Sequence, residues 1–181
     1  MRSYECIERD GSAASAVLLH PHPDMGGNCR HPLIDALFRG LPLTTCRFDF
    51  SSSVIETAQE QVAAALDRAP GPGIVLVGYS FGADIALTVV DPRVLGWFLI
   101  APPLRVVEPA TMGAALDPRP KYLAVPQFDQ FCPPPRATEV TAGWTSTTVA
   151  PIAHGDHFLA GRGEAVVEAA RAWLPSLIPS P

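Results

Sequence analysis

The sequence predicts an α/β fold: a mostly parallel, doubly wound sheet of about seven strands with helices on both faces. Three observations carry this. Short apolar or β-branched runs alternate with stretches of helical periodicity along the chain. Some of those runs, Gly73-Ile74-Val75-Leu76-Val77 among them, are apolar throughout, as an interior parallel strand buried on both faces requires. Finally, 48% hydrophobic and only 17% charged residues over 181 positions describe a chain able to bury one sizeable core.

In order, strands are expected near 3–8, 15–20, 43–49, 73–78, 94–100, 120–126 and 144–150, and helices near 30–39, 54–69, 81–90, 134–142 and 161–174. The first two strands, joined through Arg9-Asp10-Gly11, read as an antiparallel edge. Residues 1–181 are taken as one domain, with 175–181 a frayed tail. The stretch between Pro102 and Pro120 holds Pro102-Pro103, Pro109, Gly113 and Pro118, so it reads as a loop with at most one short helix. An open cleft without a lid follows, at the carboxyl ends of the strands.

The most informative motif is Gly78-Tyr79-Ser80-Phe81-Gly82, a G-x-S-x-G run where a buried strand gives way to Ala83-Asp84-Ile85-Ala86-Leu87-Thr88-Val89-Val90 at helical spacing. A turn so tight crowds the backbone on both sides of the serine, and glycine removes the clash. Ser80 is therefore the candidate nucleophile, with a helix N-terminus aimed at any negative charge forming beside it. The plainer alternative is an ordinary strand-to-helix turn whose serine caps locally.

A serine hydroxyl needs a base and an acid. Asp129 follows Tyr122-Leu123-Ala124-Val125 and Pro126 and precedes Pro133-Pro134-Pro135, which puts it on a loop beyond a strand end. Asp117 lies before that strand, Glu139 reads as an exposed helix face, and Asp156 adjoins a histidine. The bland reading of Asp129 is a turn-forming carboxylate. His157, in Gly155-Asp156-His157-Phe158, is preferred to His154 because it lies nearer the final helix and because Gly155 leaves room for a tight presenting loop.

Near the front, His20-Pro21-His22-Pro23-Asp24-Met25-Gly26-Gly27-Asn28 follows the apolar run Ala16-Val17-Leu18-Leu19. Alternating prolines and a glycine pair suit a loop that must turn a backbone N–H toward a substrate oxygen. The donor is expected from Asp24 or Met25, paired with the N–H of Phe81. A metal cluster of His20, His22, Asp24 and His31 is set aside, because no recognised zinc spacing completes it.

Taken in register, Leu19-His20-Pro21-His22-Pro23 with Gly26-Gly27, Arg47-Phe48-Asp49-Phe50, Val77-Gly78-Tyr79-Ser80-Phe81-Gly82-Ala83, Asp129-Gln130-Phe131 and Gly155-Asp156-His157-Phe158 resemble the α/β-hydrolase superfamily. The resemblance is to its small, lidless bacterial branch related to dienelactone hydrolase. It implies a minimal α/β-hydrolase fold with no cap, a Ser80, His157, Asp129 triad, and an oxyanion hole from Phe81 with Met25 or Asp24. A pocket drawing on His22, Met25, Phe81, Leu104, Phe131 and Phe158 would set specificity. Two departures matter. The dienelactone hydrolases proper carry cysteine where this chain has Ser80, so their substrate does not transfer. Many relatives also follow Arg-Phe-Asp-Phe with an arginine-glycine loop, whereas Ser51-Ser52-Ser53 stands here, so one wall of the cleft is expected to differ.

The activity so implied is hydrolysis of a small carboxylic ester, with no cofactor and no metal. Rival readings are a thioesterase, amidase or acyltransferase using the same triad, or a catalytically silent ligand-binding member of the fold. The net charge of -5 argues against nucleic acid as a partner, since a phosphate footprint needs clustered Lys and Arg. No apolar run near twenty residues and no leader pattern are found, so a cytoplasmic protein off the membrane is expected. The sequence leaves the oligomeric state open. Cys6, Cys29, Cys46 and Cys132 form no C-x-x-C pair and are expected as reduced, packed thiols. Cys132 falls near the expected cleft, and a catalytic role for it is set aside.

Overall fold

A computed structural model describes residues 2–178, Arg2 by its backbone alone. Its elements, among the described residues, are β1 (Arg2–Ile7), β2 (Ser15–Leu19), α1 (Pro32–Gly40), β3 (Thr44–Asp49), α2 (Ile55–Arg68), β4 (Ile74–Tyr79), α3 (Phe81–Leu87), β5 (Val94–Ile100), β6 (Lys121–Pro126), α4 (Pro134–Val140), β7 (Thr147–Ile152) and α5 (Gly163–Trp173). Short 3-10 turns lie at Pro23–Met25, Pro109–Thr111, Gly113–Leu116 and Leu174–Ser176. The strands form one sheet in the order β1-β3-β2-β4-β5-β6-β7, parallel except for β1.

Alternation along the strands sorts the core into two layers. Val17 and Leu19 of β2, Ile74 and Leu76 of β4, and Leu123 and Val125 of β6 point to the face covered by α2, α3 and α4. Ala16 and Leu18, Val75 and Val77, and Ala124 point to the other, covered by α1 and α5. Because β2 and β4 are buried at every position, each is apolar on both faces, which is why they read as continuous apolar runs.

The edge differs from the sequence expectation. β1 is antiparallel, but its partner is β3 and not β2; Cys6 lies opposite Cys46 in that register. The two sulfurs are bonded, with Cα atoms 4.1 Å apart. This corrects the expectation of four reduced thiols: spacing along the chain holds no sign of a pairing 40 residues apart. Cys29 and Cys132 are free and buried. The same edge is tied to α1 by Arg47, 1% exposed, which donates to Glu5 at 2.7 Å and Asp35 at 2.9 Å and lies over the Phe38 ring.

Two further boundaries move. β7 starts at Thr147 because the turn Trp144 N–H to Thr141 C=O and the positive φ of Ser146, 46°, occupy the residues before it. The 102–120 stretch carries two 3-10 turns where at most one short helix was expected. At the C-terminus, Leu177 and Ile178 pack against the core; the rest of the expected frayed tail, 179–181, lies outside the described residues. No helix among the described residues is long and apolar enough to cross a membrane.

Candidate active site

Strand order reverses at β2 and β4: the chain leaves β2 toward β3 on one side and leaves β4 toward β5 on the other. The loops after these two strands therefore part and leave a crevice at their carboxyl ends. Ser80 sits there, between β4 and α3, with φ 53° and ψ -116°. Such a backbone costs on the order of 1–3 kcal/mol and persists only where its surroundings hold it. They do so here. Ser80 N–H donates to Ile100 C=O at 2.9 Å, and its own carbonyl accepts from Ala83 and Asp84. A Cβ on Gly78 would stand 2.4 Å from the Gly82 carbonyl oxygen, and one on Gly82 would stand 2.4 Å from that of Leu19. Neither position can carry a side chain in this turn.

Ser80 Oγ lies 2.9 Å from His157 Nε2, and His157 Nδ1 lies 2.9 Å from Asp129 Oδ2. An ionised Asp129 accepts only, so the imidazole proton belongs on Nδ1 and Nε2 is left to accept from the serine hydroxyl. The other carboxylate oxygen of Asp129 accepts from the backbone N–H of Phe131 at 2.8 Å and Cys132 at 3.1 Å. Phe131 packs edge-on against the imidazole with centroids 4.4 Å apart. Ser80, Asp129 and His157 are all buried, and Ser80 and His157 line the cavity while Asp129 lies behind them.

Sequence reasoning missed what holds the histidine. The Tyr79 hydroxyl donates to the His157 carbonyl at 2.9 Å, and Gln130 Oε1 accepts the His157 N–H at 3.3 Å. Phe128 N–H bonds Gly155 C=O, and Gln127 Oε1 accepts the His154 N–H. The acid loop and the histidine loop are thus stitched together side by side. Burial, with the negative charges of Asp129 and Asp156, pushes the Tyr79 phenol well above its usual range, so it stays a donor. His154 is exposed, at φ 56°, among residues of β7 and α5 and away from the cavity, so of the two rivals only His157 meets Ser80.

In the front loop, His20 is committed to the protein: Nδ1–H donates to Pro21 C=O and Nε2 accepts the Phe50 N–H at 2.8 Å. Burial lowers its pKa and so favours this neutral form, outweighing the Pro21 bond and Asp49, which pull the other way. A Cβ on Gly27 would fall 2.1 Å from the Pro21 carbonyl oxygen, so the loop closes only over glycine. The Met25 N–H, an expected oxyanion donor, is spent on the His22 carbonyl at 3.1 Å inside the 3-10 turn. Asp24 does not line the cavity, and its carboxylate turns away to accept from Ser53. Among the described residues, the N–H groups that line the cavity without a protein acceptor belong to His22 and Phe81, whose rings pack edge-on at 5.1 Å.

The cavity holds about 220 Å³ and is mainly apolar. Of the expected pocket residues, His22, Met25, Phe81, Phe131 and Phe158 line it. Leu104 does not: at φ 55° its side chain turns into the core, and the neighbours Pro103, Arg105 and Val106 form the wall instead. Ser51–Ser53 are also off the wall; Ser51 pairs with Gln61, and Ser53 with Asp24. His31 lines the cavity too, with Nδ1 accepting the Leu33 N–H. Cys132 is buried off the cavity, and burial together with Asp129 and Asp84 pushes its thiol up to about 11, which keeps it protonated and inert.

No family model matches the chain, and no curated protein matches it by sequence. Solved structures do match by shape. An alpha-beta serine hydrolase homologue from Coxiella burnetii superposes with a TM-score of 0.80 at 22% identity, over 94% of this chain and 90% of that one. A serine hydrolase without a lid from Xanthomonas campestris gives 0.74 at 17% identity, over 98% and 91%. Est1E from Butyrivibrio proteoclasticus, with ferulic acid bound, gives 0.80 at 12% identity, over 98% and 96%. The sheet order, the elbow at Ser80 and these likenesses together establish the fold as that of the α/β hydrolases in its small, lidless form.

Proposed function

We propose that this protein is a serine hydrolase that cleaves a small carboxylic ester through an acyl-enzyme. The observation that carries the reading is the line from Ser80 Oγ to His157 Nε2 and, across the ring, from His157 Nδ1 to Asp129 Oδ2, both hydrogen bonds 2.9 Å, opening on an apolar cavity. His157 takes the hydroxyl proton as Ser80 Oγ bonds the carbonyl carbon; Asp129 keeps the imidazole tautomer and stabilises the imidazolium. Negative charge gathers on the former carbonyl oxygen, where the Phe81 N–H and the His22 N–H are the donors we assign. Each such donor lowers the barrier by on the order of 3 kcal/mol. The imidazolium then gives its proton to the departing alkoxide as the carbon–oxygen bond breaks. Water, deprotonated by the same imidazole, attacks the acyl-enzyme and releases the acid and free Ser80.

A cavity of about 220 Å³ is smaller than the roughly 300–1,000 Å³ of drug-sized ligand sites, which supports a short or single-ring acyl group over a long chain. The ferulic acid bound to Est1E supports an aromatic acid as one such group. A panel of matched short esters, thioesters and amides tests the proposal. Esters are expected to turn over with the highest kcat/KM, and a clear preference for the thioester or amide of the same acid would reassign the leaving group.

A further inference from the structure

We propose that Asp84 is a positioning residue that sets the width of the acyl pocket by clamping its wall to the nucleophile helix, an inference that rests on the serine hydrolase reading. Every residue of α3 is buried, and Asp84, at 0% exposure, is the one polar side chain among them after Phe81 and Gly82. An apolar residue would satisfy that environment at no electrostatic cost. Instead the carboxylate reaches across to the loop after β5. Its Oδ1 accepts the Leu104 N–H at 3.0 Å, and its Oδ2 accepts the N–H groups of Arg105 and Val106, both at 2.9 Å.

Ala101 N–H still bonds the Ala124 carbonyl of β6 at 2.9 Å, but beyond it, among the described residues, Leu104, Arg105 and Val106 have no strand partner. Ala101 and Leu104 hold positive φ, 44° and 55°, which non-glycine residues keep only under constraint. The three bonds to one buried charge supply the constraint, and they decide which side chains face where: Leu104 and Val107 enter the core while Pro103, Arg105 and Val106 face the cavity. The Arg105 guanidinium then lies 5.1 Å from the centroid of Phe131, the ring that packs on His157. Since Asp84 is four residues beyond Ser80 on a rigid turn of helix, the wall and the nucleophile share one anchor. Burial raises the Asp84 carboxyl pKa, against the opposing pull of the three N–H groups and of Arg105.

The test is Asp84→Asn, whose amide offers one acceptor oxygen where two are used. The expected result is a KM for a butyrate or benzoate ester raised about 10- to 100-fold, with kcat reduced much less, as a displaced binding wall predicts. The preference between those esters and acetate should shift by a comparable factor. Unchanged KM values and an unchanged acyl preference would overturn the clamp. Fluorophosphonate labelling of Ser80 in the same variant separates the two ideas: a labelled variant with unaltered preference removes the clamp alone, while an unlabelled wild type removes the hydrolase reading. If the variant does not fold, hydrogen exchange on the wild-type protein decides. The amides of Leu104, Arg105 and Val106 should be protected as strongly as those of β5, and Val106→Ala should shift the same acyl preference; fast exchange of the three amides would overturn the clamp.

Discussion

Ser80→Ala is expected to lower kcat for a short ester by roughly 10⁴- to 10⁶-fold, with the melting temperature little changed. The size follows from what alanine removes. Without Oγ no acyl-enzyme can form, and the remaining rate comes from water held near the Phe81 and His22 N–H groups and the His157 base. The fold should tolerate the change, because Ser80 makes no side-chain cap to α3 and, among the described residues, its hydroxyl bonds only His157. Alanine does inherit φ 53°, a strain the wild-type serine already bears. Steady-state hydrolysis with a thermal melt checks both halves; residual activity within tenfold of wild type would remove Ser80 as nucleophile.

Asp129→Asn is expected to cost about 10⁴-fold in kcat. The reason is specific to how Asp129 is held. Oδ1 is committed to the Phe131 and Cys132 N–H groups, so an asparagine keeps its carbonyl oxygen there and turns its NH₂ toward His157. That donor forces the imidazole to accept at Nδ1 and to carry its proton on Nε2, which then cannot take the serine proton. The carboxylate that would stabilise the imidazolium is lost as well. Activity within tenfold of wild type, with the fold intact, would mean that Asp129 does not orient the base.

Much of the frame was legible because its physics is local. Apolar runs such as Val75-Leu76-Val77 announce doubly buried strands, and Gly78 is demanded by contacts within the turn itself, although Gly82 is demanded by the distant Leu19 and His20 carbonyls. Ser80, Asp129 and His157 could be named because each stands on a loop beyond a strand, and parallel strands bring such loops to one end. What stayed hidden depends on register or on side chains far apart in sequence. The Cys6–Cys46 bond requires knowing that β1 pairs with β3, which no spacing encodes. Leu104 reads as a pocket residue because it is apolar and in the right loop. Only the positive φ imposed on it reverses its direction and hands the wall to Arg105 and Val106. Likewise Met25 reads as a natural oxyanion donor, but the 3-10 turn at Pro23–Met25 commits its N–H to the His22 carbonyl, which is why we assign the role to the His22 N–H. Tyr79 and Gln130, which hold the His157 loop, carry no motif of their own beyond adjacency to Ser80 and Asp129.

The claim underlying all of this is that Ser80 is an activated nucleophile. Reaction of the folded protein with a fluorophosphonate, followed by peptide mass mapping, measures that directly. The expected result is one phosphonyl adduct on Ser80, formed quickly in the wild type, far more slowly in Asp129→Asn and not at all in Ser80→Ala. A folded wild-type protein that stays unlabelled, or one modified at another residue while Ser80 remains free, would contradict it.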